Sequence, residues 1–254
     1  MGKKGGKSHL KREASPAFWP IHRKELMWTV KPSSGPHPIH QCIPLVIMAR
    51  EVLGLAKTRN EAKKIVSMGK IVVDGKTVRD ERFPVGLMDV VSIPEVKQNY
   101  RVVPSEKGLA LQPISEGEAK FKICRIENKK TLNKGNVELN LHDGRNLMVP
   151  VKSAQKPEED VYKTFNTLRV SVPEQEIQEQ LKLEKGSLAV FADGNNVGKY
   201  GTVTSIVEQT GQKRKNFLIT IQNEKGESYQ TILKYAFVVG DKKLKITLPA
   251  KEAQ

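Results

Sequence analysis

The stretch that decides the fold is residues 55–76, which read LAKTRNEAKKIVSMGKIVVDGK. Thr58 followed by Glu61 is a capping box, in which Thr58 caps the first amides of a helix and Glu61 reaches back. Gly69 is a natural stop for this helix. Its apolar residues fall on one face, at Ala62, Ile65 and Val66. The stretch therefore predicts a capped helix of about three turns.

A β-hairpin is predicted directly after this helix. The segments 70–73 and 76–78 are joined by Asp74-Gly75, a strong type I′ signal. Asn is also common at the first position of such turns, and Asp in its place is a harmless change, because both residues tolerate the left-handed conformation. Upstream, residues 45–53 carry apolar side chains at helical period and are followed by Gly54, and downstream residues 90–93 are typical of a strand.

This order of helix, capped basic helix, glycine and hairpin resembles the small RNA-binding domain shared by ribosomal protein S-four, some pseudouridine synthases and bacterial tyrosyl-tRNA synthetases. A Gly-Asp pair that members often carry is altered here, because Gly86 and Asp89 are separated. The resemblance implies that the helix start and nearby basic residues face RNA. The residues so implied are Arg50, Lys57, Thr58, Arg59, Asn60, Lys63, Lys64 and Lys70. Arg59 is the strongest candidate, since a guanidinium can hold a phosphate bidentately and stack on a base; a solvated helix face is the alternative.

The charge of the chain favours a polyanionic partner. Its 43 Lys and Arg against 28 Asp and Glu give a formal net charge of +15. The charge is densest in Met1–Arg12, which is either a solvated tail or an arm that folds onto nucleic acid. Behind it, Trp19 and Trp28 lie among basic residues and suit either base stacking or packing against the next domain. The RNA-binding residues predicted in this region are Lys3, Lys4, Lys7, Lys11, Arg12, Trp19, Arg23 and Lys24. Residues 31–40, with three prolines, are predicted to be an extended linker.

Several classes of protein are excluded. The longest apolar run, Cys42–Ala49, is far shorter than the about 20 residues of a membrane span. The N-terminus has no apolar segment of a secretory signal. Cys42 and Cys124 are too far apart in sequence for a zinc pair or a disulfide framework, so we expect buried thiols in a reducing, cytoplasmic compartment. Four of the five histidines lie in the N-terminal segment without fixed geometry, so no metal and no cofactor are expected.

The middle of the chain, residues 119–149, shows period-two alternation typical of short strands. His142-Asp143-Gly144-Arg145 could place a catalytic aspartate, but an Asp-Gly turn between two strands explains it without chemistry. Pseudouridine synthases carry their aspartate after an Arg-Leu pair, an order that is absent here. Residues 174–182 are predicted to be a polar connector compatible with a helix.

The C-terminal part carries a second motif. After the apolar segment 188–192, Gly198-Lys199-Tyr200-Gly201-Thr202-Val203 resembles the KOW motif of ribosomal proteins and elongation factors, in which such a turn enters a small β-barrel. Its glycines allow close approach of the backbone to RNA or to another strand. The spacing departs from that of a nucleotide-binding phosphate loop, so no nucleotide site is expected. The RNA-binding residues predicted here are Lys199, Lys213, Arg214 and Lys215; a charged hairpin tip is the alternative for the last three.

Together these features predict an α+β, multi-domain protein. The predicted parts are a basic N-terminal extension (1–41), a helix–hairpin RNA-binding domain (42–104), a central β-rich domain (105–172) and a KOW-type small β-barrel (173–254). This order resembles archaeal and eukaryotic small-subunit ribosomal protein S-four-e along nearly the whole chain. The resemblance rests on separated motifs: Gly5–Arg12 with Ala17–Ile21, the hairpin domain, Leu139–Asn146 and the KOW turn.

The resemblance implies a non-catalytic constituent of the small ribosomal subunit. Its partners would be small-subunit rRNA and neighbouring ribosomal proteins, with no membrane and no small-molecule substrate. Spread positive charge with few aromatic residues agrees with binding dominated by phosphates and shape. Two alternatives are an RNA-modifying enzyme with an appended RNA-binding module and a soluble translation or transcription factor.

Overall fold

The computed structural model of the protein describes residues 9–132, 135–151, 161–208, 211, 213–223, 225–241 and 243–249. In the described part of the chain, the architecture is mostly β, with three antiparallel five-stranded sheets and few helices. The fold is therefore α+β with several β-rich units, as predicted. No helix among these residues is long and apolar enough to cross a membrane.

Residues 9–41 form a folded layer on the first sheet. Strands β1 (Leu10–Lys11) and β2 (Trp28–Thr29) pair as a short ribbon, and Ile39–Gln41 forms a 3-10 turn. Trp19 is buried in the core of the first unit and donates its indole N–H to the carbonyl of Cys42 at 2.7 Å. From residue 9 onward, the N-terminal region is thus part of the fold rather than a free extension.

The first unit contains the predicted helices. Strand β3 (Cys42–Pro44) leads into one turn of α-helix, α1 (Leu45–Ile47), which continues as a π-helix over Met48–Val52. The predicted helical stretch is thus confirmed, but the amide of Leu53 bonds to the carbonyl of Met48, an i→i+5 bond, so its second part is a π-helix and not an α-helix. Helix α2 (Arg59–Ser67) follows with both reciprocal bonds of the predicted capping box.

The first sheet has the order β5-β4-β7-β8-β9. Its strands in chain order are β4 (Val72–Val73), β5 (Lys76–Thr77), β7 (Val90–Ile93), β8 (Gln98–Ser105) and β9 (Gly108–Ile114), while β6 (Pro84–Gly86) pairs separately with β3. Asp74 and Gly75 have φ of 47° and 70°, which confirms the type I′ hairpin. A 3-10 turn spans Pro94–Val96. Since β8 and β9 pair along their length, the sheet continues through the boundary predicted at residue 104.

The central sheet has the order β12-β11-β10-β13-β14 and follows a short helix, α3 (Glu116–Ala119). Its strands are β10 (Phe121–Thr131), β11 (Val137–Leu141), β12 (Asn146–Val149), β13 (Thr167–Ser171) and β14 (Ile177–Leu181). The predicted short strands are confirmed, and burial alternates along β11, whereas residues 121–126 of β10 are all buried. The segment 174–182, expected as a helix-compatible connector, instead contributes strand β14, because pairing with β13 satisfies its backbone groups.

The third sheet has the order β18-β17-β16-β15-β19. Its strands are β15 (Leu188–Phe191), β16 (Tyr200–Val207), β17 (Leu218–Gln222), β18 (Ser228–Ile232) and β19 (Ala236–Gly240), with 3-10 turns at Arg214–Asn216 and Leu233–Tyr235. The KOW-like glycines serve protein contacts. A Cβ at Gly198 would lie 2.9 Å from the carbonyl carbon of Ser105 in the first unit, and a Cβ at Gly201 would lie 2.3 Å from the carbonyl oxygen of Gln222.

The units share a core. Each sheet covers an apolar cluster, and the cluster of the third sheet also contains Leu181 of β14. A further cluster joins Met88 of the first unit to Phe121 of the central sheet and Phe237 of the third. Arg125 of β10 donates to the carbonyls of Lys234 and Ala236 at 2.8 Å. These contacts fix how the sheets are placed relative to one another.

Candidate RNA-binding surface

The outer face of helix α2 carries the largest group of cations that were predicted to lie on a helix. Thr58 Oγ1 accepts from the amide of Glu61, and Glu61 accepts from the amides of Lys57 and Thr58 at 3.0 and 3.1 Å. These two N–H donors lower the pKa of the Glu61 carboxyl. Because Ala62 and Val66 are buried, the opposite face must point to solvent. The exposed side chains of that face and of the cap are Lys57, Thr58, Arg59, Asn60, Lys63 and Lys64.

Two of these cations converge on one carboxylate. Arg59 lies 2.9 Å from Glu81 Oε1, and Lys63 Nζ lies 3.9 Å from the same oxygen. The second oxygen of Glu81 is buried and has no hydrogen-bond partner among the residues that the structure describes. Glu81 thus holds Arg59 and Lys63 side by side, while both cations remain at least half exposed. This arrangement presents two adjacent positive charges to a phosphate.

Three further cations lie in the same unit, and one of them, Arg79, was not predicted from the sequence. Lys70 is half-buried and lies 3.2 Å from Glu95, whereas Arg50 is half-buried and pairs with its neighbour Glu51 at 2.6 Å. Arg79, which was not predicted, is exposed, and its Nε would lie 3.5 Å from a Cβ on Gly69 at the end of α2. The only sequence signal for Arg79 was a basic residue soon after the hairpin.

The structure corrects two of the N-terminal predictions, those for Trp19 and Arg12, and leaves that for Arg23 open because its side chain is only half-buried. Trp19 is buried at 3% exposure and cannot stack on a base. Arg12 is buried and donates to the carbonyls of Trp28 and His22, and Arg23 donates to the carbonyls of Glu13, Ser15 and Pro16. Both guanidinium groups satisfy turns of their own chain, because a folded loop must pair its backbone carbonyls. Trp19 therefore packs against the next domain and does not stack on a base.

The remaining predicted cations are dispersed over the molecule. Lys11 and Lys24 are exposed in the N-terminal layer, whereas Lys3, Lys4 and Lys7 lie outside the described residues. In the third unit, the ammonium of Lys199 lies 4.0 Å above the ring of Tyr229 and bonds to Asn196. The run Lys213, Arg214 and Lys215 is exposed at the turn between β16 and β17.

A second feature, which sequence did not predict, is a buried ion cluster around Lys122. Its ammonium lies 2.8 Å from Asp74, 2.5 Å from Asp89 and 3.0 Å from Asp143. Each of the three carboxylates also accepts a backbone N–H. The aspartate of the predicted turn therefore does more than favour a left-handed conformation, and Asp143 is held as an ion-pair partner in its turn.

Two more residues complete the cluster. Arg145 pairs with Asp74 at 2.5 Å and with Asp143 at 3.2 Å. His37 Nε2 lies 3.0 Å from Asp89 Oδ1, and its ring fits only because residue 86 is glycine: a Cβ there would lie 2.3 Å from the ring. The separated Gly86 and Asp89, which departed from the expected pair, thus each contact His37. The cluster joins the N-terminal layer, the first unit and the central sheet.

The pKa shifts in the cluster favour the ionised forms of Asp89, Asp143 and Lys122. Burial opposes ionisation of Asp143, but Lys122, His142 and Arg145 outweigh it and hold its pKa at about 2. For Asp89 too, burial is outweighed by Lys122 and His37, and the pKa lies well below its usual range. The pKa of Lys122 is raised, because the carboxylates outweigh the cost of burial. The cluster therefore stays ionised at neutral pH.

His142 gives a testable pH dependence. Burial lowers the pKa of His142 to about 3 in the folded chain, whereas in the unfolded chain its pKa is about 6.5. Between these two values the unfolded state binds more protons than the folded state, so the free energy of unfolding should fall as the pH drops from about 6.5 towards 3. We expect the stability difference between wild type and His142→Gln in urea denaturation to shrink by about 2 kcal/mol from pH 7 to pH 5. A difference that is constant with pH would contradict this.

The side chains that could act in catalysis or bind a metal are buried or half-buried, and His142 and Asp143 already form hydrogen bonds or ion pairs within the protein. Cys124, His142 and Asp143 place one potential ligand atom each within 4.8 Å. However, His142 Nδ1 accepts from the amide of Arg125, its Nε2 donates to the carbonyl of Leu87, and Asp143 is paired with Lys122. Burial raises the pKa of the Cys42 thiol to about 12, and that of Cys124 also rises. Both cysteines are free, buried thiols, as predicted.

The fold and the surface define a class: β-rich, multi-unit proteins that carry an S4 domain with a cationic capped helix. Three family models match the chain, the RS4NT domain over residues 4–40, the S4 domain over 51–91 and ribosomal family S4e over 96–177. The chain belongs to ribosomal family S4e. The predicted S4-type domain and the resemblance along the chain are thereby confirmed.

Two relatives are similar to this chain over nearly the full length of both proteins. "Small ribosomal subunit protein eS4" of Staphylothermus marinus is 47% identical over 98% of each chain, and that of Methanocaldococcus jannaschii is 44% identical over 95% of this chain and 97% of its own. The crystal structure of 30S ribosomal protein S4e from Thermoplasma acidophilum matches with a TM-score of 0.66 and 29% identity. That match covers 80% of this chain and 97% of the crystallised one.

Proposed function

We propose that the chain is a non-catalytic constituent of the small ribosomal subunit in the cytoplasm, where it binds and stabilises small-subunit rRNA beside neighbouring small-subunit proteins. The observation that carries the proposal is the exposed pair of Arg59 and Lys63 on the capped helix of an S4 domain, in a chain of the ribosomal S4e family. Relatives named as small ribosomal subunit protein eS4 support the setting.

The chemistry of binding follows from the geometry around Glu81. Its carboxylate keeps Arg59 and Lys63 together while no RNA is bound, so little side-chain entropy is lost when a phosphate takes its place. Arg59 supplies a planar, bidentate donor and Lys63 a point charge. Contacts of this kind position a protein on RNA without reading its sequence. Lys57, Lys64, Lys70 and Arg79 extend the same surface.

A structural role also fits the groups that could have been catalytic. The acidic groups around Lys122 are ionised and paired, and the thiols of Cys42 and Cys124 are protonated at neutral pH. Metals and small-molecule cofactors play no part in this proposal. We also infer that the third unit is the KOW-type barrel and that its Lys199 and exposed run 213–215 contribute further rRNA contacts. A division into an N-terminal part and three domains belongs to the same proposal, with the first domain extended to Ile114 because β8 and β9 pair in one sheet.

The helix surface is tested by replacing both Arg59 and Lys63 with alanine. Because the two cations are presented to one phosphate, and each neutralised phosphate contributes about 0.7 to 0.9 to the slope of log affinity against log salt, the slope should flatten by about that amount. The affinity for a small-subunit rRNA fragment should fall about 10- to 100-fold at low salt. Fluorescence anisotropy of a labelled fragment over a salt series measures both.

Two matched variants make the test specific. Glu81→Gln removes the negative charge that competes with RNA but keeps an amide oxygen that can still accept from Arg59 and Lys63, so affinity should rise several-fold. Lys130→Ala removes one exposed positive charge from the central sheet, outside the predicted surface, and should change little. Unchanged affinity and slope in the double variant would show that this helix faces solvent in the complex.

A further inference from the structure

The short ribbon of β1 and β2 carries an exposed apolar tip that the proposed surface does not include. Leu26, Met27 and Trp28 are consecutive and are 61%, 64% and 51% exposed. The other tryptophan of the chain, Trp19, is buried. A soluble protein exposes single apolar residues freely, but three in a row that include a tryptophan indicate a binding site.

The tip is held in place by the chain around it. The amide of Arg12 donates to the carbonyl of Met27 at 3.0 Å, and its guanidinium donates to the carbonyl of Trp28 at 3.3 Å. Arg23 ties the loop to three carbonyls between residues 13 and 16. Trp28 is therefore presented from a braced backbone, which lowers the entropy that a ligand must overcome on binding.

The surroundings of Trp28 are aromatic and cationic. The ring of His9 lies 5.5 Å from the Trp28 ring, centroid to centroid, and Lys11 stands directly opposite Trp28 in the strand register. Residues 9–31 contain five Lys and Arg against two Glu. A stacking ring beside exposed lysines is the combination that binds single-stranded nucleic acid. Lysine is depleted in protein–protein interfaces, so these neighbours favour RNA over a protein partner.

We propose that Trp28 stacks on an unpaired base of RNA, with Lys11 contacting a flanking phosphate. This inference rests on the proposed function, because it assumes that the chain binds rRNA, but it assigns a binding site separate from helix α2. Unpaired bases in loops and bulges expose the faces that stack on aromatic side chains, whereas a continuous duplex hides them. The site should therefore prefer single-stranded RNA.

The test uses the full-length chain with Trp28→Leu and Trp28→Phe. Single-stranded RNA should quench the tryptophan fluorescence of the wild type, since Trp28 stacks on a base, and should not quench that of Trp28→Leu, whose remaining Trp19 is buried. Stacking is worth about 1 to 3 kcal/mol per base, so affinity for the single strand should fall about 5- to 150-fold in Trp28→Leu. Trp28→Phe should retain most of the affinity, and a duplex of the same sequence should distinguish the variants little.

Met148→Ser is the control, because Met148 is exposed to 65% on an edge strand of the central sheet and should not affect binding. Equal single-strand affinity in wild type and Trp28→Leu, or equal quenching in both, would overturn the assignment of Trp28 alone. Crosslinking of residue 28 to a ribosomal protein rather than to rRNA in assembled subunits would also overturn it. Failure of the wild type to bind any rRNA fragment would instead overturn the proposed function.

Discussion

Replacing Lys122 with methionine should lower the free energy of unfolding by about 3 to 5 kcal/mol, because it removes one partner from a buried set of charges. Lys122 is fully buried, and its ammonium is shared by Asp74, Asp89 and Asp143. Methionine matches its length but removes the ammonium that the three carboxylates share, although Arg145 still pairs with Asp74 and Asp143. Urea denaturation followed by circular dichroism measures the loss.

Two variants separate the ion cluster from other effects. Lys120→Met changes an exposed lysine two residues away and should alter stability by less than about 0.5 kcal/mol. Asp74→Asn keeps a residue that adopts the left-handed turn conformation but loses the charge paired with Lys122 and Arg145. It should therefore destabilise the chain although the hairpin is retained. Wild-type stability in Lys122→Met would show that the cluster adds nothing to the fold.

Gly201→Ala should cost about 2 to 3 kcal/mol, at the upper end of what overpacking usually costs. The new Cβ would lie 2.3 Å from the carbonyl oxygen and 2.7 Å from the carbonyl carbon of Gln222, both in the backbone of the neighbouring strand. Backbone atoms in a paired strand cannot rotate away as a flexible side chain can. Relief requires β16 and β17 to separate, which weakens their hydrogen bonds.

Gly117→Ala is the matched control for this second substitution. Its Cβ would meet nothing closer than 4.0 Å, from Ser115 Oγ, and its backbone does not require a left-handed conformation. Thermal unfolding should therefore show a clear loss for Gly201→Ala and little change for Gly117→Ala. Equal melting temperatures of wild type and Gly201→Ala would mean that the strands adjust at no cost, and that this glycine serves something other than strand packing.

Local patterns in the sequence predicted the elements of the fold well. The capping box of Thr58 and Glu61 and the hairpin at Asp74-Gly75 depend on residues a few positions apart, so short-range chemistry decides them. The segment 177–181 was predicted poorly, since its strand forms only by pairing with β13. The π-helix after α1 likewise had no local signal.

The candidate site was predicted only in part, because contacts between residues far apart in the chain have no local signal in the sequence. Helix periodicity indicated that Arg59 and Lys63 share an exposed face, but it could not show that Glu81, 22 residues from Arg59, holds both. Composition placed arginines and tryptophans together near the N-terminus. Only the folded loop shows that Arg12 and Trp19 face inwards and that Trp28 faces out.

The sequence by itself determined the helix–hairpin unit, the alternating strands, the strong positive charge and the family resemblance. Each of these features depends only on residues close together in the sequence or on the overall composition. Tertiary structure alone decided which charges are buried as pairs and which remain for a polyanion. Lys122 meets Asp89 across 33 residues, His37 meets Asp89 across 52, and Arg125 reaches Ala236 across 111. Burial and pairing depend on the packing of distant segments, and no local pattern encodes that packing.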